Sequence, residues 1–300
     1  MDCDVVVPTF NRPGKLSAAL ASLQLQTYRP SRVIIVDDGT AVDYWKDLSA
    51  NFHDLNITFR RNPVSKGANY CRNLGVSMSK ADIIFFLDDD DLFDSDKIKK
   101  VMEIFEEFID VDLVVTRFRK FYEDYAFTKN TNKNIPNGII SVKESFIKNI
   151  LGSTSLVAIK RNRLLDVGGF DENLCALQDK ELWLRLSIYG CYVKVTDEIL
   201  ATYRISYSSE RISNSIERYK SSLKYIEDKH KDIFYNLSPS ETIRYHKNNL
   251  QQLCIKSMMN RNRKLAFNFC LQSIHLKLTL IDCALILSMV LPRVLLVRLM

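Results

Sequence analysis

The sequence lacks a long uncharged apolar run. The apolar stretch near the C-terminus, residues 283–292, stays uncharged for only ten residues, and Asp282 and Arg293 bound it. A membrane-spanning helix needs about 20 predominantly apolar residues, so we expect no such helix. The first residues, Met1-Asp2-Cys3-Asp4, are acidic and lead directly into a predicted strand. We therefore also expect no signal peptide.

Histidines and paired cysteines are scarce as well. Seven cysteines are scattered along the chain without a Cys-x-x-Cys pair, which argues against a zinc site or a disulfide framework and fits free thiols in a reducing compartment. None of the four histidines gives a serine or cysteine a recognisable catalytic partner, so no covalent nucleophile is indicated. The loop at residues 9–15 has only one glycine, which counts against the phosphate loop of a nucleotidyltransferase.

Charge is distributed unevenly. Residues 211–300 carry 15 Lys/Arg and 6 Asp/Glu, a net charge of +9, whereas the whole chain has a net charge of +6. Residues 1–210 therefore carry a net charge of −3. A basic C-terminal region on a slightly acidic body indicates an anionic partner, and charge alone allows either a membrane or a nucleic acid.

The N-terminal part alternates short apolar runs with segments of helical periodicity. Strands are predicted at residues 5–8, 33–36, 57–59 and 83–87, with helices at residues 15–26 and 68–79. Strand–helix–strand units of this length form right-handed parallel crossovers. We therefore predict an α/β fold with a mostly parallel, Rossmann-like central sheet flanked by helices.

Acidic residues follow two of these strands. Asp37 and Asp38 end the second strand, and Asp88-Asp89-Asp90-Asp91 end the fourth. Ligands of open α/β sheets bind outside the carboxyl ends of the strands. Because Mg²⁺ usually takes one or two carboxylates plus substrate phosphates, the pattern indicates a divalent metal that holds a diphosphate. The alternative interpretation is a solvated acidic turn that caps the next helix.

A further acidic residue opens a later helix. Residues 178–186 are predicted to be helical, with Leu182 and Leu186 on one face and Asp179 at the N-terminal end. Two interpretations are open. Asp179 either caps the helix and complements its dipole, or acts as a general base at the mouth of a site.

Six motifs together resemble a known enzyme family. They are VVVPTFNR (5–12), VDDGT (36–40), GANYCRN (67–73), LDDDD (87–91), GGFD (168–171) and QDKELWLR (178–185). In this order they resemble glycosyltransferase family 2, the inverting enzymes of the GT-A fold, and in particular bacterial O-antigen and capsule polysaccharide glycosyltransferases. The resemblance covers residues 5–185 and leaves out the C-terminal third.

The resemblance implies a donor site at the strand ends. The nucleotide-sugar-binding residues would be Pro8, Thr9, Asn11, Asp38, Arg72, Asn73, Asp88 and Asp89. Asp38 would accept a hydrogen bond from the imide nitrogen of the base. Asp88 and Asp90 match the Asp-x-Asp motif of the family. They would hold Mn²⁺ or Mg²⁺, with Asp90 as the direct ligand and Asp88 also facing the ribose or sugar.

The resemblance also implies an acceptor side. Asp179 would be the general base, and Gly169, Asp171, Glu181 and Trp183 would bind or shape the acceptor. Inversion and dependence on metal are likewise implied by the resemblance.

One feature of many relatives is missing here. They carry a histidine a few residues after a Tyr-Arg pair, but the run Tyr203-Arg204-Ile205-Ser206-Tyr207 contains none. Arg204 or Tyr207 is the candidate for a phosphate contact in its place.

The C-terminal third is predicted to be a helical extension. Residues 211–275 have helical patterns, and Ser238-Pro239-Ser240-Glu241 is a helix start with Ser at the N-cap, Pro at N1 and Glu at N3. We divide the chain into a catalytic domain at 1–210, with a nucleotide-sugar half at 1–110 and an acceptor half at 111–210, and a basic helical region at 211–300. Its segment 276–300 is expected to bind an anionic membrane surface. Packing of this segment on the protein's own core is the alternative.

The expected reaction follows from the resemblance. A hexose would move from UDP-glucose or UDP-galactose to a sugar hydroxyl of a lipid-linked (polyprenyl diphosphate) oligosaccharide in O-antigen or lipopolysaccharide synthesis, with dTDP-rhamnose as the alternative donor. The expected location is cytoplasmic, peripheral on the inner face of the cell membrane, with no nucleic-acid partner. A nucleotidyltransferase and a non-catalytic nucleic-acid-binding protein are the more distant alternatives.

Overall fold

The computed structural model describes residues 1–131, 135–206 and 215–290. Within these residues ten strands form one sheet. The strands are β1 (Cys3–Thr9), β2 (Arg32–Asp37), β3 (Ile57–Arg61), β4 (Ile83–Phe86), β5 (Asp91–Phe93), β6 (Leu113–Tyr122), β7 (Phe127–Asn130), β8 (Gly138–Ile139), β9 (Val157–Lys160) and β10 (Tyr192–Ile205). Tyr207, the predicted boundary at 210/211 and residues 291–300 lie outside the described residues.

Helices cover both faces of the sheet and continue beyond it. They are α1 (Pro13–Gln24), α2 (Trp45–Ser49), α3 (Ala68–Met78), α4 (Lys97–Glu107), α5 (Val142–Ile147), α6 (Arg161–Asp166), α7 (Gln178–Ile188), α8 (Ile216–Lys229), α9 (Lys231–Tyr235), α10 (Pro239–Met259), α11 (Arg263–Leu276) and α12 (Leu280–Val290). The prediction of an α/β fold with a C-terminal helical extension is confirmed.

The two halves of the sheet are built differently. The strand order is β3-β2-β1-β4-β9-β6-β10-β5, and β3, β2, β1 and β4 run parallel to one another. In the second half β9 runs antiparallel to β4 and β6, β10 runs parallel to β6, and β5 runs antiparallel to β10. The parallel half is the half in which helical crossovers connect the strands, as the periodicity predicts.

The central strands are buried on both faces. Successive residues of a strand point to opposite sides. Val5 and Val7 accordingly join the core formed with α1 and α4, while Val6 joins the core on the side of α3 and α7. A Cβ atom on Gly75 of α3 would lie 2.4 Å from Cγ1 of Val6. Glycine at this position therefore lets α3 pack closely on β1.

Two strands near the site escaped the sequence prediction. β10 has register shifts between Val195 and Ala201, where the polar run Thr196-Asp197-Glu198 interrupts its apolar pattern. β5 has three residues and forms by pairing Asp91 with Tyr203 across more than a hundred positions. Neither feature leaves a local periodic signal of the kind that identifies strands.

The C-terminal helices pack on the second half of the sheet domain. Phe146 of α5 and Leu184 of α7 share a buried cluster with Ile226 of α8 and Tyr245 of α10. α10 begins with the predicted capping box, in which the Ser238 hydroxyl accepts from the backbone of Glu241 and the Glu241 carboxylate accepts from the backbone of Ser238.

α12 packs on the protein itself along one face, as in the alternative interpretation of its segment, and membrane binding stays a prediction. Asp282 and Leu285 are fully buried against α10 and α11, so one face packs on the protein itself. Leu280 is 89% exposed and Ile281 is 55% exposed, so another face remains open. No helix in residues 1–131, 135–206 and 215–290 is both long enough and apolar enough to cross a bilayer.

Candidate functional site

The acidic turn follows β4 at the carboxyl edge of the sheet. The backbone N–H of Asp91 donates to the carbonyl of Asp88 at 2.9 Å, which closes the turn before β5 begins. The backbone N–H of Asp88 donates to Oγ of Ser155 at 3.0 Å. Because β1 and β2 run parallel to β4, their carboxyl ends reach the same edge of the sheet.

Asp89 and Asp90 face a cation from the β1–α1 loop. The Arg12 guanidinium lies 2.7 Å from Oδ1 of Asp89 and 3.2 Å from Oδ2 of Asp90. Oδ2 of Asp89 accepts from the Thr9 hydroxyl at 2.8 Å. Burial raises the pKa of Asp89 to about 7, against the lowering effect of Arg12 and together with the raising effect of Asp90. The positive charge of Arg12 therefore offsets only part of the effect of burial on the Asp89 carboxyl.

Asp88 faces a second cation from α3. Its Oδ1 accepts from the Arg72 guanidinium at 2.6 Å, and its Oδ2 lies 3.3 Å from the Thr154 hydroxyl, which donates to it. The guanidinium carbon of Arg72 lies 5.3 Å from the centroid of the Phe170 ring, which holds the arginine in place. The predicted donor residues Thr9, Arg72, Asp88 and Asp89 are thus brought together at one edge.

Asp38 makes hydrogen bonds within the protein, whereas it was expected to accept one from the nucleotide base. Its carboxylate accepts from the side chains of Asn62 and Ser65 and from the backbone N–H groups of Lys66 and Gly67, all within 3.0 Å. Burial raises the pKa of Asp38, but these hydrogen bonds hold it below its usual value. A carboxylate offers about four acceptor positions. Asp38 therefore fixes the 62–67 loop, and a hydrogen bond from a base would have to displace one of these donors.

The β1–α1 loop presents its residues unequally. Pro8 is buried inside β1, opposite Val36, so only its backbone reaches the edge. Asn11 has a positive φ of 53°, and its backbone N–H donates to the Thr40 hydroxyl at 2.8 Å. Phe10, between Thr9 and Asn11, is 48% exposed. The ring of Phe10 is available for stacking, which sequence reasoning did not assign.

Asn73 joins α3 to the glycine turn at residues 168–171. Its Nδ2 donates to the carbonyl of Phe170 at 2.9 Å, and its Oδ1 accepts from the backbone of Phe170 at 2.8 Å. A Cβ atom on Gly169, whose φ is +70°, would lie 2.6 Å from Oδ1 of Asn73. Asn73 is therefore a contact of the predicted acceptor turn rather than of the acidic edge.

An open cavity of about 370 Å³ lies at this glycine turn, and the acidic turn at residues 88–91 does not line it. Asp171 closes one side, where its Oδ2 accepts from Tyr225 and Lys229 of α8 at 3.0 and 2.5 Å. Burial raises the pKa of Asp171, but Lys229 and the other donors hold it below its usual value. The charged residues of the cavity are thus largely paired with one another.

Asp179 lies in the first turn of α7 and is linked to the acidic edge by one loop. Its Oδ2 accepts from Nδ2 of Asn149 at 2.8 Å, and Oδ1 of Asn149 accepts from the backbone of Gly152 at 2.9 Å. The same loop continues to Thr154, which contacts Asp88. The structure therefore places Asp179 and Asp88 at the two ends of the 149–154 segment.

Glu181 and Trp183, predicted to bind the acceptor, are buried. Glu181 is fully enclosed and is paired with Arg185 at 2.7 Å and Lys229 at 2.8 Å. Burial raises its pKa, but His230 and Arg185 bring it down to about 2. Trp183 donates from Nε1 to the carbonyl of Gly152 at 2.9 Å. Both side chains hold neighbouring segments in place, so direct contact with an acceptor does not fit these positions.

Arg204, the suggested substitute for a missing histidine, is engaged elsewhere. Its guanidinium lies 2.6 Å from Oε1 of Glu123. Its backbone N–H donates to Oδ1 of Asp91 at 3.3 Å. Arg204 therefore supports the acidic turn through its backbone, and its side chain is not directed to the turn by any of these contacts.

Sequence reasoning assigned no role to Arg12, Asp91 or Ser155, which all contact or form the acidic turn. Arg12 closes a motif that was recognised, so its place beside Thr9 was an available signal. Asp91 is almost completely buried, and burial together with Asp90 and Asp88 raises its pKa well above the usual value. Ser155 gave no signal, because its contact with Asp88 spans 67 positions.

Binding of a divalent metal by Asp88 and Asp90 stays a prediction. Within the described ranges no three Asp, Glu, His or Cys side chains form a ready-made metal site. Asp90 is paired with the Arg12 guanidinium at 3.2 Å, which a metal on the same oxygen would have to displace, and its carboxylate oxygens are hard ligands. Because Mg²⁺ commonly uses one or two carboxylates plus phosphate oxygens, Asp90 with Asp88 fits such an ion.

The fold and the acidic edge define an α/β protein built to bind a ligand at the carboxyl ends of parallel strands. Residues 4–173 match the sequence profile of glycosyl transferase family 2, so the chain belongs to this family.

Curated relatives support this membership and differ in their own activities. An uncharacterised glycosyltransferase of Haemophilus influenzae is 32% identical over 182 residues, which cover 61% of this chain and 60% of that protein. The amylovoran biosynthesis glycosyltransferase AmsB of Erwinia amylovora is 26% identical, covering 67% and 69%. The chondroitin synthase of Pasteurella multocida is 26% identical over 81% of this chain and 29% of the synthase. The chain thus spans well under the full length of several of these relatives.

Solved structures share the fold. TarS of S. aureus, residues 1–349 in complex with UDP-GlcNAc, superposes with a TM-score of 0.59 and 13% identity over 90% of this chain and 89% of that one. A longer TarS structure gives a TM-score of 0.62 and 15% identity over 90% and 54%. At this level of identity the likeness establishes the GT-A fold.

Proposed function

We propose that the protein is an inverting glycosyltransferase that moves a hexose from a nucleotide sugar to a sugar hydroxyl. The observation that carries this proposal is the arrangement of Asp179 and Asp88 at the two ends of the 149–154 segment. An acid–base residue and a diphosphate-binding edge on either side of one loop are what a single displacement between two bound substrates requires.

The proposed donor is UDP-glucose or UDP-galactose, with dTDP-rhamnose as the alternative. The acidic edge offers the cations Arg12 and Arg72 beside carboxylates, and such a mixture suits a diphosphate bound with a metal. The relation to TarS, which binds UDP-GlcNAc, supports a UDP-linked donor. Exposed Phe10 is positioned to stack on the base.

Mn²⁺ or Mg²⁺, held by Asp90 with Asp88, would neutralise the charge that develops on the departing diphosphate. Asp179 accepts the proton of the acceptor hydroxyl. At the same time, the hydroxyl oxygen of the acceptor bonds to the anomeric carbon. The bond from that carbon to the diphosphate oxygen breaks, and the nucleoside diphosphate leaves with the electron pair. Attack opposite the leaving group inverts the anomeric configuration.

The proposed acceptor is a lipid-linked (polyprenyl diphosphate) oligosaccharide of bacterial surface polysaccharide synthesis, with the protein peripheral on the cytoplasmic face of the membrane. The exposed face of α12, with Leu280 and Ile281, and the basic Arg263, Lys264 and Lys277 nearby in sequence support contact with an anionic bilayer.

The donor proposal is tested by incubating the protein with UDP-glucose, UDP-galactose, UDP-GlcNAc and dTDP-rhamnose, with Mn²⁺ or with a chelator. Consumption of one donor only in the presence of metal supports the proposal. If none of these donors is bound or consumed with either metal, the proposed activity is wrong.

The membrane proposal is tested by co-sedimentation with vesicles of phosphatidylglycerol or phosphatidylcholine. Wild type is expected to bind the anionic vesicles, and Leu280→Glu to bind them at least several-fold less, because the substitution places a charge on the face that enters the interface. Leu25→Glu, at another exposed leucine, is the control. Equal binding by wild type and Leu280→Glu contradicts the proposal.

A further inference from the structure

We infer that Lys97 is a positioning residue for the acidic turn at residues 88–91, and that metal affinity at this turn depends on Lys97 acting through Ser155 and Asp88. The inference rests on the proposed function, because it concerns the same donor and metal site. It assigns a role to a buried cation that does not itself reach the edge.

Lys97 is a charged side chain in the interior. It is the first residue of α4 and is fully buried, one turn before Val101 on the face that packs into the core. An ammonium group loses its hydration in such a place, so it persists only where other charges and acceptors compensate. The groups that compensate it therefore indicate what the lysine is for.

These groups belong to the support of the acidic turn. Nζ of Lys97 donates to the carbonyl of Ser155 at 2.6 Å and to the Thr116 hydroxyl at 3.0 Å. It also lies 4.0 Å from the centroid of the Phe93 ring, immediately after the turn. Burial lowers the pKa of Lys97 to about 7, although the charges of Asp91 and Asp94 act to raise it. The lysine is thus placed beneath the acidic residues.

Ser155 connects Lys97 to Asp88 through two hydrogen bonds. While its carbonyl accepts from Lys97, its hydroxyl accepts from the backbone N–H of Asp88 at 3.0 Å. The adjacent Thr154 contacts the carboxylate of Asp88. The short turn Thr154–Leu156 is therefore held on one side by Lys97 and holds Asp88 on the other.

Asp91 explains why a cation is needed at this place. Its carboxyl is buried, and Oδ2 has no hydrogen-bond partner among the described residues. The Lys97 amine donates hydrogen bonds beneath the turn, and in its protonated form it also offsets the charge of the carboxylates beside it. Without Lys97 we expect the turn to hold Asp88 and Asp90 less firmly in their present positions.

Residues of this kind, which orient ligands without touching the metal, typically change metal affinity by about 10- to 100-fold when removed. The test measures binding of Mn²⁺ in the presence of saturating UDP, from the electron paramagnetic resonance signal of free Mn²⁺. The variants are Lys97→Met, Ser155→Ala, the two combined, and Lys247→Met.

Lys247 is the control, because it is also a buried lysine, and it is paired with Asp282 in the C-terminal helices, away from the acidic turn. We expect Mn²⁺ to bind about tenfold more weakly to Lys97→Met and several-fold more weakly to Ser155→Ala. The combined variant should resemble Lys97→Met alone, because the two residues act in one chain of contacts. Lys247→Met should stay close to wild type.

Three outcomes overturn the inference and leave the proposed metal site in place. One is wild-type Mn²⁺ affinity in folded Lys97→Met. Another is an equal loss in Lys97→Met and Lys247→Met, which would mean that general destabilisation is the cause. If Lys97→Met does not fold, unchanged affinity in Ser155→Ala overturns it. Absence of Mn²⁺ binding by wild type is a different result, since it removes the proposed metal site and this inference with it.

Discussion

Two buried carboxyl groups, in different regions, are treated in opposite ways. Asp282 of α12 accepts hydrogen bonds from Lys247, Gln251, Ser273 and Thr279. Burial raises its pKa, but these donors hold the pKa well below its usual value. Asp89 has Thr9 and the half-exposed Arg12, and burial raises its pKa to about 7.

This difference distinguishes carboxyl groups that stabilise the fold from carboxyl groups that are available to bind a ligand. A carboxylate whose acceptor positions are filled by its own chain is a structural element. A cluster that is incompletely neutralised, beside Arg12 and Arg72 at a sheet edge, has unused capacity for a charged ligand. By this criterion Asp38 belongs with Asp282, although its sequence motif placed it in the donor site.

The largest effect is expected from Asp179→Asn. The amide keeps the size of the side chain but cannot accept the proton, so we expect kcat to fall by about 10³-fold. Binding of UDP and Mn²⁺ should be unchanged, because Asp179 lies at the far end of the 149–154 segment from Asp88. Steady-state kinetics and calorimetry measure the two properties.

Asp166→Asn in α6 is the control for this substitution, since Asp166 is a half-exposed carboxylate paired with Arg163. Full activity of Asp179→Asn would show that Asp179 is not the general base and only places a negative charge in the first turn of α7.

Lys247→Met is expected to have a large effect on stability and none on kcat, the reverse of what we expect from Asp179→Asn. Removing one partner of a buried pair should lower the free energy of unfolding by about 3 kcal/mol, as urea denaturation would measure. The kcat of the folded protein should not change, because the pair lies among α10, α11 and α12. Loss of donor binding in this variant would erase the distinction between the two regions.

A smaller effect, on the pH dependence of stability, has opposite signs in the two regions. The folded-state pKa of Asp89 is raised from 3.8 to about 7, so its contribution to stability is greatest at low pH and is lost as pH rises from about 4 to about 7. That of Asp282 is lowered, so its contribution is present above its usual pKa and is lost as pH falls below it.

Urea denaturation of the metal-free protein between pH 3 and pH 8 measures both slopes. Asp89→Asn should flatten the dependence between pH 4 and pH 7, and Asp282→Asn the dependence at the acid end. If Asp89→Asn keeps the wild-type slope, then Asp89 is ionised throughout this range and its environment differs from the one described.

Much of the parallel half could be predicted from the sequence. The apolar runs of β1, β2 and β4 are fully buried on both faces, as their composition indicates. The acidic ends of β2 and β4 reach one edge because the strands are parallel, which local periodicity also indicates. The position of Lys97 carried a signal too, since it lies four residues before Val101 on the apolar face of α4.

The rest depended on contacts between distant residues. The saturation of Asp38 comes from a loop some 25 residues away. The burial of Glu181 depends on Lys229 and His230 of the C-terminal region, so its place in the motif QDKELWLR could not reveal that it faces inward. Such pairings follow from how whole elements pack, and no local pattern encodes them.

The most direct test of the central claim is calorimetric titration of UDP into wild type and Asp90→Asn, with Mn²⁺ and with a chelator. The account predicts that Mn²⁺ tightens UDP binding to wild type and has little effect on Asp90→Asn. Equal UDP affinity of wild type in Mn²⁺ and in chelator, or an undiminished Mn²⁺ effect in Asp90→Asn, would contradict the assignment of the acidic turn as the metal and diphosphate site.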